Sequence, residues 1–442
     1  MRHTFVPCLL ALTLLCGCAS TQNQEPETII EERPVERTAV SVFTDDTSGY
    51  FAAVAERLRQ EDDSLAPSVT TAGENAAEEL RTLLLSGLAP NVVWLSPEKD
   101  QGIYRALKED GALRPLDALI FEEAQTLSSL YAGGQLLPVY EGFLSSPELL
   151  KDGKVVGLPM TYETAGLLVK EESLKERTVP ANFGALLELG EENGPALFGY
   201  PQDFPAFLEP FALPYFSLCG GKTRLSSSDW TKEELSSEET EGALLAAAKR
   251  LSELSPFCYT AEVQAGLEEV FTAFKEGELL FMPGDEAAIE LLQSEYELSS
   301  PVRLAAVPAE EGPCLLAAPT SFLYLPAAAG SPGAAMRFVH LALAEEQQKE
   351  MAAALGFLPP LKGSPAHLQG YAAQAAEMFE NGVTAYCGSF AAGEEEGELF
   401  DTFYRSLSQL LEGSLSPEEW AEGMSEALFG EEEPTGDASA AS

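Results

Sequence analysis

Between residues 39 and 95 the chain switches back and forth between two periodicities, and this limits its fold more than any other stretch. Residues 39–43 (AVSVF) are a short β-type run in which Val40 and Val42 alternate. Phe51, Val54, Ala55 and Leu58 then recur at i, i+3, i+4 and i+7, the spacing of one helix face. Residues 67–71 read as a second strand. Leu80, Leu83, Leu84 and Leu88 line a second helix, which Gly87 and Pro90 end, and residues 91–95 (NVVWL) are a third strand. A β-α-β-α-β order calls for crossover helices and hence a parallel sheet, so the class is α/β. Ligands of such sheets collect beyond the carboxyl ends of the strands. Here those ends are residues 44–47 and 96–97.

Residues 101–150 are helical and loop-rich, and 152–160 give a turn and a strand that stops at Pro159. A further strand is expected at 165–169, a helix near 182–190, a strand near 196–200 and helices up to residue 276. Strands follow at 301–307, 314–318 and 322–325, and then a helix over 333–355 with Met336, Val339 and Leu343 on one face. Near the end Ser416-Pro417-Glu418-Glu419 is a capping box with proline at the first helical position. It opens a helix with Trp420, Met424 and Leu428 on one face, and residues 431–442 form an acidic tail expected to be disordered.

The first twenty residues, MRHTFVPCLLALTLLCGCAS, combine a basic end at Arg2 with an apolar run over 5–15. That run falls short of the ~20 residues a bilayer span needs and reads as a secretory signal, residues 1–17. The small residues before Cys18 resemble a bacterial lipoprotein lipobox. The resemblance implies cleavage before Cys18 and acyl chains such as palmitate on its thiol and new amino group. An ordinary signal peptide with a coincidental cysteine is the alternative. Residues 18–38 are polar, with Pro26 and Pro34, and read as a tether from the membrane to an extracytoplasmic body.

The charge is extreme: 26 basic residues against 71 acidic ones, a net charge of -45. Such a body repels the phosphates of nucleic acid, so no nucleic-acid partner is expected. Four cysteines remain in the mature chain, Cys219, Cys258, Cys314 and Cys387, which allow three pairings. Cys219 and Cys258 flank one acidic helical stretch and are the first pair to consider. No CxxC motif occurs, and the chain has only three histidines. A Ser-His-Asp triad or a histidine-rich metal site needs spacings that are not present. Neither a cofactor nor a metal is expected, and an enzyme is a poor first choice.

Four stretches carry a resemblance to the extracellular solute-binding proteins of ATP-driven importers, in the large sugar-type family that includes maltose-binding proteins. SGLAPNVVWL at 86–95 is similar to the family's G-x-x-P-D-V approach to a strand, with Asn91 in place of aspartate. DGKVVGLPMTYETAGLLVKEESL at 152–174 resembles its crossing between lobes, although Val169-Lys170-Glu171 replaces the usual Tyr-Asn-Lys. FKEGELLFMPGDEA at 274–287 is like F-x-x-G-x-a-a-M followed by glycine and an aromatic residue, with Asp285 where tryptophan is common. The stretch 307–360, ending in GFLPP, resembles the final crossings.

The resemblance implies a two-lobed periplasmic-binding type II fold with hinge crossings and a ligand cleft. One lobe would comprise 39–155 plus 313–355, the other 156–312 plus 356–430. The solute would be a small molecule, a sugar foremost, delivered by a monomer to an ABC permease without any bond made or broken. Asp45 and Asp46 follow the first strand, where a ligand or a helix cap would use them, and Trp94 ends the third. Tyr162 and Glu163 follow the first crossing, and Glu163 sits where maltose binders carry a contacting glutamate. Tyr200 and Asp203 follow a strand end in the second lobe, and Gly284 and Asp285 occupy the Gly-aromatic turn. Carboxylates at 45, 46, 163, 203 and 285 would make an acidic cleft, which keeps a polyamine or another cation open as the ligand. An extracytoplasmic hydrolase using two carboxylates and a surface lipoprotein for adhesion are the other readings.

Overall fold

Val40 and Val42, fully buried, anchor the central strand of the first sheet, β1 (Thr38–Thr44). In the computed structural model the described residues are 37–100, 102–123, 149–174, 177–210, 238–260, 265–309, 312–359, 368–387 and 394–429. The signal, Cys18, nearly all of the tether, Cys219 and the acidic tail lie outside them. β1 is flanked in parallel by β2 (Leu65–Thr71) and β3 (Val92–Trp94), in the order β2-β1-β3. Pro67 cannot donate to a ladder, which suits the outer position of β2. The connections are α1 (Tyr50–Glu61) and α2 (Ala76–Leu85). The expected face of α1, Phe51, Val54, Ala55 and Leu58, is buried as predicted. Phe51, Val54 and Leu58 each contribute roughly 1.5–3 kcal/mol by this burial. Leu88, by contrast, falls beyond the end of α2 and is 68% exposed.

Short helices α3 (Pro97–Asp100), α4 (Ile103–Glu109) and α5 (Asp117–Glu123) follow. Then β4 (Leu150–Lys151) and β5 (Lys154–Val155) close a two-residue hairpin on Asp152 and Gly153. Both turn residues have positive φ, 51° and 71°, the requirement of the turn whose twist matches a hairpin.

β6 (Leu158–Lys170) and β10 (Gly312–Leu323) are the longest strands, and they pair antiparallel from Leu158↔Leu323 to Ala165↔Leu316. Here the sequence expectation needs correction. Each was read as two strands broken near a proline, yet Pro159 and Pro319 lie inside continuous strands. Pro159 faces Phe322, and the register shifts on either side of Ser321, so the missing donors fall where the ladder is already irregular. β6 is buried along nearly its whole length because both faces are covered, and so it shows no alternation. Beyond Ala165 the two strands take other neighbours. β7 (Phe281–Gly284) and β8 (Val302–Ala305) bind β6, β9 (Val307–Ala309) binds β10, and β11 (Thr384–Cys387) lies parallel to β10. At its other end β10 runs into Tyr324, which exchanges backbone bonds with Val93 of the first sheet (2.9 and 3.1 Å). A third passage reaches the same level, where the Tyr162 N–H donates to the Leu358 carbonyl at 3.2 Å.

Helices pack around these sheets. α6 (Glu171–Leu174) and α7 (Phe183–Asn193) follow β6, the acidic helix is α8 (Glu238–Ser252), and α9 (Leu267–Glu276) precedes β7. α10 (Glu286–Ser294) follows β7. The helix expected over 333–355 is two, α11 (Pro332–Leu343) and α12 (Glu345–Leu355), separated by extended Ala344. The carbonyl of Ala342 there accepts from the Tyr50 hydroxyl (2.8 Å) and the Gln348 amide (3.0 Å), which replace the interrupted ladder. Met336, Val339 and Leu343 are fully buried, as their spacing predicts. α13 (Gly370–Glu380), α14 (Glu394–Leu411) and α15 (Pro417–Phe429) complete the order. The capping box forms: Ser416 Oγ accepts from the Glu419 N–H (3.2 Å) while Glu419 accepts from the Ser416 N–H (2.9 Å). Cys258 and Cys314 are buried, and Cys219, the other member of the expected pair, lies outside the described residues. No described helix is long and apolar enough to cross a membrane.

Candidate binding cleft

The carboxyl ends of β1 and β3 bring Asp45 against Ser96. Asp45 accepts from the Ser96 N–H (2.8 Å) and the Ser96 hydroxyl (2.5 Å), which joins the two strand ends and leaves the carboxylate half-exposed. Asp46 is turned inward. One oxygen accepts from the N–H (2.7 Å) and hydroxyl (2.6 Å) of Ser48, the other from the Phe51 N–H (3.0 Å). It satisfies the first turn of α1, for which Gly49 at the cap has no side chain, so the capping role and not a ligand claims it. Trp94 is 1% exposed, its ring 5.1 Å from Phe51, with Nε1 donating to Ser321 Oγ (2.9 Å). No face of Trp94 is available to stack on a solute. Asp100, which the sequence reading missed, lies beside Asp45. Burial pushes its carboxyl above the usual carboxylate range, and the charge of Asp45 adds to this, against the Tyr104 N–H and the Arg105 guanidinium.

A second group of residues lies where β6 leaves the crossing. Tyr162 is 2% exposed and packs 6.3 Å from Phe379, so it is a core residue of the hinge. Its neighbour Glu163, on the other face of the strand, is exposed. Two residues of β7 and α10 come to the same place. Gly284 is buried because β7 and α10 approach closely: a Cβ there would lie 2.9 Å from Leu168 and 3.1 Å from Ala288. Asp285 caps α10 by accepting from the Ala288 N–H at 2.9 Å and remains half-exposed. Tyr371 of α13 donates its hydroxyl to the Thr164 carbonyl (2.8 Å). Burial drives its phenol well up, with the charges of Asp285, Glu286 and Glu163 adding to the rise. The charges of all three carboxylates act on this one phenol.

Glu209 lies near Asp285, and the sequence reading did not single it out. It is 6% exposed, its Oε1 has no hydrogen-bond partner, and burial followed by the charge of Asp285 raises its carboxyl far above the ordinary value. Its only sequence signal is a carboxylate inside the apolar run FPAFLEPF.

Tyr200 and Asp203 part company. Tyr200 is fully buried, with its hydroxyl 2.9 Å from Ser408 Oγ and its backbone held on both sides by Thr260. It is a core residue. Asp203 is exposed beside Gly266 and Glu269 and does not belong to the group around Tyr371. Of the nine expected residues, Asp45, Glu163, Asp203 and Asp285 present carboxylates to solvent, while Asp46, Trp94, Tyr162, Tyr200 and Gly284 serve the fold. Among the described residues no three His, Cys, Asp or Glu side chains stand close enough to hold a metal ion. What remains is a set of oxygen acceptors, at the ends of β1 and β3 and around the start of α10, of the kind that pairs with hydroxyl or ammonium donors.

Comparison with known proteins agrees with this architecture. A family model described as bacterial extracellular solute-binding protein matches residues 69–380. No curated protein sequence matches the chain. Among solved structures, apo RafE from Streptococcus pneumoniae is similar at 18% identity and a TM-score of 0.58, over 90% of this chain and 98% of that one. MalE from Listeria monocytogenes, in complex with maltose, matches at 12% identity and a TM-score of 0.60, over 89% and 97%. A family 1 extracellular solute-binding protein from Bifidobacterium longum subsp. infantis matches at 15% identity and a TM-score of 0.59, over 88% and 98%. These neighbours are two-lobed, and the chain shares their type II fold.

Proposed function

The chain belongs to the bacterial extracellular solute-binding protein family, and from that premise we propose that it is the lipid-anchored solute receptor of an ABC importer, taking a carbohydrate. A signal sequence exports it, Cys18 carries the lipid, and residues 18–38 tether the body, which acts as a monomer. The solute enters between two lobes that divide at the three passages near Tyr162, Pro319 and Leu358. It is held by Asp45 on one side and by Glu163 and Asp285 on the other, with Asp203 at the rim. Closure of the lobes on the solute supplies the signal for the permease, and no covalent step occurs.

The observation that carries this reading is the continuous pairing of β6 with β10 through the crossing, with exposed Glu163 at its midpoint beside Asp285. The solved neighbour with bound maltose supports a sugar as the solute. A second reading, a polyamine or similar cation, is favoured by the acidic character of both walls. Calorimetric titration of the purified chain with maltose, raffinose, maltotetraose and spermidine tests both. Saturable binding of a sugar, lost in Glu163→Ala, supports the first reading. Binding of spermidine alone supports the second. A folded chain that binds no member of a broad solute panel overturns the receptor reading.

A further inference from the structure

Near Asp285, Glu209 carries a buried carboxyl that the fold leaves without support. It is 94% hidden, and its Oε1 meets no hydrogen-bond donor. The charged or titratable groups around it are all acids. Asp285 acts on it directly, Tyr404 of α14 feels its charge, and Glu163, Glu286 and Tyr371 complete the group through Asp285. A carboxyl that is buried with no donor to satisfy it is disfavoured in its charged form. Asp285 is the better solvated: it is half-exposed and fixed on the Ala288 N–H at the positive end of α10. The proton therefore belongs on Glu209.

We propose, resting on the receptor reading above, that Glu209 is protonated in the unliganded chain and donates a hydrogen bond to an oxygen of the solute, so that the cleft selects a neutral polyhydroxy ligand over a cation. A protonated carboxyl is both donor and acceptor, and a hydroxyl of a sugar complements both. An ammonium complements only the ionised form. The two ligand classes thus differ in the sign of their proton linkage. A sugar held by the protonated acid binds more weakly as pH rises through the Glu209 titration. A cation would expel the proton and bind more tightly over the same range.

The test uses the full chain in detergent, with two readouts from pH 5 to 9. In the absence of solute, Glu209→Gln should raise the melting temperature relative to the parent, by a margin that grows with pH. The reason is that a carboxyl raised in the folded state costs stability only above its unfolded value, ordinarily 4.5, and increasingly so up to its folded value. With maltose or raffinose as probe, the parent affinity should fall at least tenfold across the range, and Glu209→Gln should remove that dependence. Asp285→Asn should move the fall to lower pH, a check that holds if Glu209→Gln does not fold. A melting margin that is constant with pH overturns the proposal. So does sugar affinity that is flat or rises with pH, or spermidine binding that strengthens with pH and disappears in Glu209→Gln. If the melting margin grows as expected but neither sugars nor spermidine bind, the receptor reading fails, and the assigned ligand class fails with it.

Discussion

At the scale of single residues, strand ends were legible in the sequence but the direction of a side chain there was not. Trp94 and Glu163 make the contrast. Both stand at the end or crossing of a strand, yet one is 1% exposed and the other open. β3 is buried at all three of its positions, so alternation gave no sign of which face Trp94 would take. Trp94→Phe removes the bond to Ser321 and part of a core contact. Urea denaturation should show a loss of about 1–3 kcal/mol with solute affinity unchanged. Glu163→Gln should do the reverse, leaving the melting temperature in place while titration calorimetry records at least tenfold weaker binding. Glu209 escaped notice for a related reason. Its signal, a charge in an apolar run, becomes informative only once the burial is known.

At the scale of elements, the first parallel sheet and its helices followed the sequence closely, whereas the helix over 333–355 is split, no strand forms over 196–200, and the two long strands run on past their expected ends. Proline was read as a stop at 159, and the strand expected over 314–318 ends just before Pro319. Proline is tolerated because Ser321 sits at a register shift where hydroxyls stand in for ladder bonds: Ser321 Oγ lies 2.5 Å from Thr161 Oγ1 and accepts from Trp94. No local pattern announces such an arrangement, since it depends on strands far apart in the sequence. Just past the crossing, Gly166 lets β6 pass between neighbours. A Cβ there would fall 2.7 Å from the Ala305 carbonyl oxygen and 2.7 Å from Leu315. Because one obstacle is backbone, Gly166→Ala should force β8 away from β6 and cost about 1–3 kcal/mol. Amide exchange should show the loss first in residues 302–305.

At the scale of the whole molecule, burial of phenols sets an upper pH limit. Tyr50, Tyr104, Tyr324, Tyr371 and Tyr404 are all pushed above the ordinary phenol value, by burial first. Each can ionise more readily unfolded than folded. Stability therefore holds below the unfolded value of about 10 and falls as pH rises beyond it. Absorbance at the phenolate band should rise in one cooperative step with unfolding, and a gradual titration of these five before unfolding would contradict their burial. The bond between Tyr324 and Val93 has a different consequence, one of timing. The first sheet opens the described body, yet it waits for a member from more than two hundred residues later in the chain. A ribosome that has delivered β1, β2 and β3 has not delivered the segment that completes them. The early part of the chain must stay open, and exposed to proteases and chaperones, until Tyr324 has been made.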